Sequence, residues 1–147
     1  MYKFRRATEE ERNEWCSGSY KIWGMDNSIG EEDYALFLGK VMTVFGQPDW
    51  MDTDWENMYS YLIVTEDEQG NKIYLEIYHG PSGSAIGGQD INKQVAEELA
   101  QIILSAKPTD YEWKSVYEDI PVNVKYIVKD GKAYIESEYP KNMEDFI

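Results

Sequence analysis

Residues 58–79, MYSYLIVTEDEQGNKIYLEIYH, decide the fold of this chain. The runs 58–66 and 72–79 are rich in Tyr, Ile, Leu and Val, a composition typical of β-strands. The residues between them, 67–71, are polar and include Gly70, as in the loop of a hairpin. The stretch therefore predicts two antiparallel strands joined by a short turn.

A helix is predicted before this hairpin. Ser28 and Glu31 have the spacing of a capping box, and Gly46 followed by Pro48 is a stop signal. Between these signals, apolar residues recur at helical spacing and form one stripe: Tyr34, Phe37, Leu38, Val41 and Phe45. We expect this stripe to face the core.

Two further helices are predicted from similar signals. Asp90 can cap a helix over 91–106, which Pro108 stops. Its apolar stripe consists of Val95, Leu99, Ile102, Ile103 and Ala106. Near the start of the chain, Thr8 and Glu11 form a capping box for a short helix that ends at about residue 15.

The C-terminal part predicts three more strands. Tyr111, Trp113, Ser115 and Tyr117 alternate along the first of them. Residues 122–129 and 132–138 are joined by Asp130-Gly131, a dipeptide suited to a two-residue type I′ turn. The element order α, α, β, β, α, β, β, β predicts an α+β fold, an antiparallel sheet built from hairpins with about three helices packed on one side.

Length and composition predict a single acidic globular domain over 1–147. The chain has 147 residues, of which 42% are hydrophobic and 14% aromatic, enough for an independent core. The single cysteine, Cys16, excludes an internal disulfide, and the charged residues 3–11 do not form the apolar segment of a secretory leader. We therefore expect a cytoplasmic protein.

The charge of the chain restricts its partners. It has 14 Lys and Arg against 28 Asp and Glu, a formal net charge of −14 at pH 7. Such a charge repels phosphate backbones and anionic lipids, so we expect no direct contact with nucleic acid or membranes. A basic protein is the favoured partner, and self-repulsion favours a monomer before a complex forms.

The negative charge is locally concentrated around two tryptophans. Residues 41–71 contain seven acids and no Lys or Arg. Trp and Met are favoured anchors of interfaces, and surrounding carboxylates steer a cationic partner. The predicted partner-binding residues are Asp49, Trp50, Asp52, Asp54, Trp55 and Glu56. The alternative is that both tryptophans pack on the core while the acids are merely solvated.

The glycine-rich segment 80–88 is a second candidate site. It follows a predicted strand and precedes a predicted helix, where a loop can bind a ligand or move. The candidate residues are His79, Gly80, Ser82, Gly83, Ser84, Gly87 and Gly88. The segment matches neither phosphate-binding glycine motif nor the serine elbow of hydrolases. The alternatives are a flexible or tightly turned connection for the segment and a hydrogen-bonded strand-end residue for His79.

No catalytic residue, metal or cofactor is assigned. Cys16 and His79 are too few for a structural zinc site. Asp52, Asp54 and Glu56 have the spacing that opens an EF-hand loop, but Asn57 stands where that loop requires glycine. Calcium binding by this segment therefore remains the weaker alternative to a solvated acidic surface.

A small, acidic, aromatic-rich α+β chain without catalytic residues resembles the bacterial immunity proteins that neutralise polymorphic or contact-dependent toxins. Locally, the predicted helix 91–106 followed by Lys107, Pro108 and a strand that carries Trp113 is similar to a segment seen toward the end of some immunity families. The resemblance implies a cognate toxin partner, commonly a basic nuclease, and a non-enzymatic role. The alternative is a small-ligand-binding or enzymatic domain that uses residues 80–88 and His79.

Overall fold

The described part of the chain forms two antiparallel sheets and three helices. The structure is a computed structural model that describes residues 1–15, 20–26, 28–51, 59–80, 83–116 and 123–138. The helices are α1 (Glu9–Glu14), α2 (Glu31–Phe45) and α3 (Lys93–Leu104). The strands are β1 (Arg5–Arg6), β2 (Tyr20–Gly24), β3 (Trp50–Met51), β4 (Tyr59–Glu66), β5 (Lys72–Gly80), β6 (Gly83–Gly88), β7 (Tyr111–Val116), β8 (Asn123–Lys129) and β9 (Lys132–Glu138).

The predicted hairpin forms the centre of the main sheet. β4 and β5 pair antiparallel from Tyr59 opposite His79 to Glu66 opposite Lys72. The order of this sheet is β1-β4-β5-β6-β2, and β3 also pairs with β4. The second sheet has the order β7-β8-β9, and its last turn places Asp130 and Gly131 at positive φ, as a type I′ turn requires. The predicted α+β class with antiparallel hairpins is confirmed.

One face of the main sheet packs against the core. Side chains alternate across a strand, so Tyr61 and Ile63 of β4 and Leu75 and Ile77 of β5 share this face, and all four are fully buried. Most of the predicted stripe of each helix packs there: Phe37, Leu38 and Val41 of α2, and Val95, Leu99 and Ile103 of α3. Ile102 of the predicted α3 stripe is instead exposed. The second sheet adds Trp113, Tyr126 and Val128 to the same cluster. The two sheets therefore share one hydrophobic core.

The opposite face, called here the outer face, carries the other residues of the hairpin. Leu62 and Val64 of β4 pack with Ala7, and Trp15 and Tyr74 lie against them. Because Trp15 directly follows α1, this short helix lies at the outer face, whereas α2 and α3 contribute to the core on the other face. None of the helices in the described part of the chain is long and apolar enough to cross a membrane.

Two of the predicted helix caps are wrong. α2 begins at Glu31 with Gly30 as its N-cap, and the backbone N–H of Ser28 donates instead to the Asp26 carboxylate. α3 begins at Lys93, because residues 90–92 form a 3₁₀ turn before it, so Asp90 is not the N-cap. The Thr8 capping box is confirmed, with both of its reciprocal hydrogen bonds present.

The predicted glycine-rich loop is also wrong. Gly83–Gly88 is the strand β6, buried along its whole length between β5 and β2. Its small residues indicated a loop, but they allow close packing: a Cβ on Gly88 would lie 3.2 Å from Leu75 Cδ2 and 3.4 Å from Ile22 Cδ1. The connection between strands is thus restricted to the residues between Gly80 and Gly83.

Candidate functional site

A row of alternating large and small residues crosses the outer face. Trp50 of β3 lies opposite Ser60 of β4, and Ser60 lies opposite Tyr78 of β5. Tyr78 in turn lies opposite Ala85 of β6. Residues directly opposite in an antiparallel pair share a face, so Trp50 and Tyr78 stand on either side of the short Ser60 side chain.

The row borders an open depression of about 470 Å³. We call it the Trp50 groove, and its lining residues are Trp50, Tyr59, Ser60, Glu76, Tyr78, His79 and Gly80. The Trp50 side chain is 50% exposed, an unusual exposure for the largest apolar residue. The groove therefore offers aromatic surface to a partner or ligand.

One carboxylate adjoins the aromatic residues of the groove. The Ser60 hydroxyl donates a hydrogen bond to Glu76 Oε1 over 3.1 Å. Glu76 precedes Tyr78 by two residues on β5, so both lie on the outer face. Burial, and secondarily the Glu76 charge, raise the pKa of the Tyr78 hydroxyl above its ordinary value. The groove thus combines aromatic surface with negative charge.

His79 lies at the inner side of the groove and is held by buried neighbours. Its Nδ1 is 3.0 Å from the Ser84 hydroxyl, and its ring stacks on Tyr59 with the centroids 5.9 Å apart. Tyr34 contacts the same ring edge-on. Burial lowers the pKa of His79. Because Ser84 is fully buried, its hydroxyl cannot meet a substrate in this arrangement, and the pair satisfies a buried polar group.

The structure brings parts of the two predicted sites together. Trp50 from the acidic segment and His79 and Gly80 from the glycine-rich segment line the same groove. The other candidates on β6 are buried in the sheet: Gly83, Ser84, Gly87 and Gly88. Outside the described residues lie Asp52, Asp54, Trp55, Glu56 and Ser82.

Asp49 has internal partners. Its Oδ1 lies 2.6 Å from Arg6 Nη2 and 3.4 Å from Arg12 Nη1, and its Oδ2 accepts a hydrogen bond from the Leu62 N–H over 2.9 Å. The Asp49 side chain is only 12% exposed. The charge of Asp49 is therefore compensated within the fold. The neighbouring Trp50, in contrast, is half exposed to solvent.

A second carboxylate, that of Glu11, forms ion pairs at the other end of the outer face. Glu11 pairs with Arg5 through two hydrogen bonds of 2.7 and 2.9 Å, and with Lys72 Nζ at 2.9 Å. The hydrogen bonds from Arg5, the Thr8 backbone and Lys72 hold the pKa of Glu11 well below its usual range. Glu11 and Asp49 together engage four of the chain's 14 Lys and Arg. Without these six residues, the chain has ten Lys and Arg against 26 Asp and Glu. The rest of the chain is therefore more negative than the formal net charge of −14 indicates.

Sequence reasoning missed four residues that line the groove, Tyr59, Ser60, Glu76 and Tyr78. The signal for them was the period of two in the predicted hairpin, which places Glu76 and Tyr78 on the face opposite to Ile77. The register that sets Ser60 between the two aromatic residues comes from the turn and from β3, neither of which the composition specifies.

Comparison of the chain with protein-family models, with curated proteins and with solved structures gives no match. Within the described residues, no three His, Cys, Asp or Glu side chains are grouped so that they could hold a metal ion. The features of this chain that bear on its function are therefore its negative charge and the geometry of the Trp50 groove.

Proposed function

We propose that this protein is a non-enzymatic acidic binding protein, an immunity protein that neutralises a basic bacterial toxin of the nuclease class by blocking its active site. The observation that supports it most is the half-exposed Trp50 at an aromatic groove of a chain with a net charge of −14. In this proposal the protein acts in the cytoplasm and is a monomer until it binds the toxin.

Electrostatics connect the charge of this chain to a nuclease. An enzyme that cleaves nucleic acid binds a phosphate backbone, so its cleft carries Lys and Arg. Surface carboxylates speed the encounter with such a cleft, and a desolvated tryptophan supplies much of the affinity once the complex has formed. The acids near Trp50 and the ring itself have these two complementary roles in our proposal.

The test is salt-sensitive capture followed by inhibition. The tagged chain is expected to retain a basic protein from its native cells at low salt and to release it at high salt. The captured protein is then assayed for cleavage of DNA and RNA with and without the purified chain. Absence of a basic protein at both salt concentrations, or an unchanged cleavage rate, would contradict the proposal.

Charge reversal localises the interface. In the site variant, Asp52, Asp54 and Glu56 become Lys while Asp49 is kept, because Asp49 holds Arg6. In the control variant, the exposed Glu68, Glu97 and Glu136 become Lys, so both variants have a net charge of −8. We expect the site variant alone to lose the partner, and circular dichroism to show that both variants fold. Equal affinities would place the interface elsewhere.

The alternative function, a small-ligand-binding or enzymatic domain, has less support. His79 and Gly80 do line the groove, but Ser84 is buried and Gly83–Gly88 is a strand. A thermal-shift screen with metabolites and metal ions tests it, since a ligand at 100 times its Kd stabilises the native state by about 2.7 kcal/mol. A hit that His79→Ala abolishes would favour the alternative.

A further inference from the structure

We propose that Asp49 is a positioning residue, which fixes β3 on β4 and so places Trp50 where it binds the basic partner. Asp49 does not touch the partner in this proposal, since its side chain is only 12% exposed and is bound by Arg6. This inference rests on the proposed function, because it takes Trp50 as a residue of the interface. It adds a residue on which binding depends without contact.

Two very short strands share one edge of β4. In β1, Arg6 lies opposite Ile63. In β3, Trp50 lies opposite Ser60. Both strands run antiparallel to β4 along the edge that β5 does not occupy, so they lie end to end and their junction is beside Leu62. Each strand has only two residues, so the contacts at this junction decide how firmly β3 is held.

The Asp49 carboxylate completes the edge at this junction. Its Oδ2 accepts a hydrogen bond from the Leu62 N–H over 2.9 Å, and the Leu62 carbonyl accepts one from the Ala7 N–H over 2.9 Å. The Asp49 N–H donates to the Ser60 carbonyl over 3.0 Å. Leu62 is buried, so loss of the carboxylate would leave its N–H unsatisfied and destabilise this edge. A side chain thus supplies the hydrogen bond that a continuous strand would supply through its backbone.

Two arginines bind the same carboxylate from β1 and α1. Asp49 Oδ1 lies 2.6 Å from Nη2 of Arg6 in β1 and 3.4 Å from Nη1 of Arg12 in α1. Arg6 Nη1 also donates to the Phe45 carbonyl at the end of α2 over 3.2 Å. Arginine suits this role because its planar fork can bind two acceptors at once. The connection from α2 to β3 is therefore held at both of its ends.

A fixed β3 raises the affinity of Trp50 for a partner. Half of Trp50 is exposed, so burial contributes less to holding this residue than it does for a core residue. Ordering a loose segment during binding costs conformational entropy, whereas a segment that is already ordered binds without this cost. Asp49 therefore increases affinity by ordering β3 before the partner binds.

The dynamics of the free chain test the positioning role. Asp49→Ala removes the carboxylate, whereas Asp49→Asn keeps an oxygen for the Leu62 N–H. The control is Glu11→Gln, which removes one charge from the other ion-paired carboxylate of the outer face. We expect the heteronuclear NOE of the Trp50 and Met51 amides, measured by NMR, to fall most in Asp49→Ala and less in Asp49→Asn. It should not fall in Glu11→Gln, which weakens the fold without touching β3.

A double-mutant cycle with the captured partner tests the effect on binding. Asp49→Ala should weaken the binding of the partner about tenfold, and Asp49→Asn should weaken it less. In a chain that already carries Trp50→Ala, the change at Asp49 should have little further effect, because Asp49 acts through Trp50. Equal losses in the two backgrounds would show that Asp49 acts independently of Trp50 and would overturn the proposal. Unchanged NOE values in Asp49→Ala would overturn it as well, and circular dichroism shows that each variant folds.

The failure of this inference is distinguishable from failure of the proposed function. If Asp49→Ala binds and inhibits a captured nuclease as strongly as the unaltered chain does, the positioning role is overturned and the inhibitor function stands. If β3 becomes mobile in Asp49→Ala but no basic protein is captured by the unaltered chain, the inhibitor function is overturned and the ordering of Trp50 by Asp49 stands.

Discussion

The two ends of the outer face use the same types of residue in opposite ways. At the covered end, Trp15 packs on Tyr74, and Glu11 is bound by Arg5 and Lys72. At the open end, Trp50 is half exposed, and Glu76 accepts a hydrogen bond from the Ser60 hydroxyl. The covered end is closed by ring packing and by ion pairs to Arg5 and Lys72, whereas the open end has a tryptophan that is half exposed to solvent.

The two ends differ in how much of their tryptophan is removed from water: Trp15 is partly buried, whereas Trp50 is half exposed. Burying an aromatic pair and a charge-assisted hydrogen bond within the chain stabilises the native state. The same groups at the surface contribute little to folding, because water solvates them in both folded and unfolded states. Substitutions at the covered end should therefore lower stability, and equivalent substitutions at the open end should lower binding.

The two tryptophans give the largest expected contrast. Trp15→Ala should lower the free energy of unfolding by about 3 kcal/mol, the lower end for loss of a large aromatic residue, because the ring is only partly buried. Trp50→Ala should lower it by clearly less, about 1 kcal/mol, because half of the residue is already exposed to water in the folded state. Urea denaturation followed by circular dichroism measures both values. Similar losses of unfolding free energy in the two variants would contradict the proposed difference between the covered end and the open end.

The two glutamates give a smaller contrast. Glu11→Ala should cost about 2 kcal/mol, because it removes the bonds to Arg5 and Lys72 and also the capping box at Thr8. Glu11→Gln keeps a residue that can complete the box, so it should cost less. Glu76→Gln keeps an oxygen that can accept the Ser60 hydrogen bond, so it should cost less than Glu11→Ala. A loss at Glu76 as large as that at Glu11 would place Glu76 among the residues that hold the fold.

Acid should reduce the difference in stability between the unaltered chain and Glu11→Gln. The pKa of Glu11 is lowered on folding, mainly by Arg5. A lowered carboxyl pKa stabilises the fold above the ordinary value of 4.5 and loses this effect as the pH falls through the folded value. The advantage of the unaltered chain over Glu11→Gln should therefore be constant near neutral pH and shrink progressively as the pH falls below about 4.5.

The sequence predicts the elements that have a strong period and misses those that do not. The hairpin β4–β5, the helices α2 and α3 and the Asp130-Gly131 turn all carry apolar periodicity or turn residues, and they are found. The strands β1 and β3 have only two residues each, too few to show the alternation of apolar and polar residues that identifies a strand. β6 was missed because glycine is depleted in strands, and only tertiary packing against Leu75 explains its presence there.

The site was predictable in part for the same reason. Trp50 stood out by composition, since it lies in a stretch of seven acids without a cation. Its position beside Ser60 and Tyr78 depends on the β3–β4 register, which local composition does not encode. The internal role of Asp49 depends on Arg6, 43 residues away in the chain, and such a long-range pair has no local signature.

Mild acid gives the smallest expected effect and distinguishes the open end from the covered end. Burial lowers the pKa of His79 beside the groove, so its neutral form stabilises the fold above the unfolded value of 6.5, and this contribution is lost as the pH falls through the folded value. His79 is the only histidine, and Glu11 keeps its charge at this pH. Between about pH 7.5 and 5.5, the stability of the unaltered chain should therefore fall relative to His79→Phe, which cannot be protonated. Urea denaturation of both chains across this range measures the difference between their free energies of unfolding. If these free energies change in parallel with pH, burial does not lower the pKa of His79. The open end would then respond to acid no differently from the covered end.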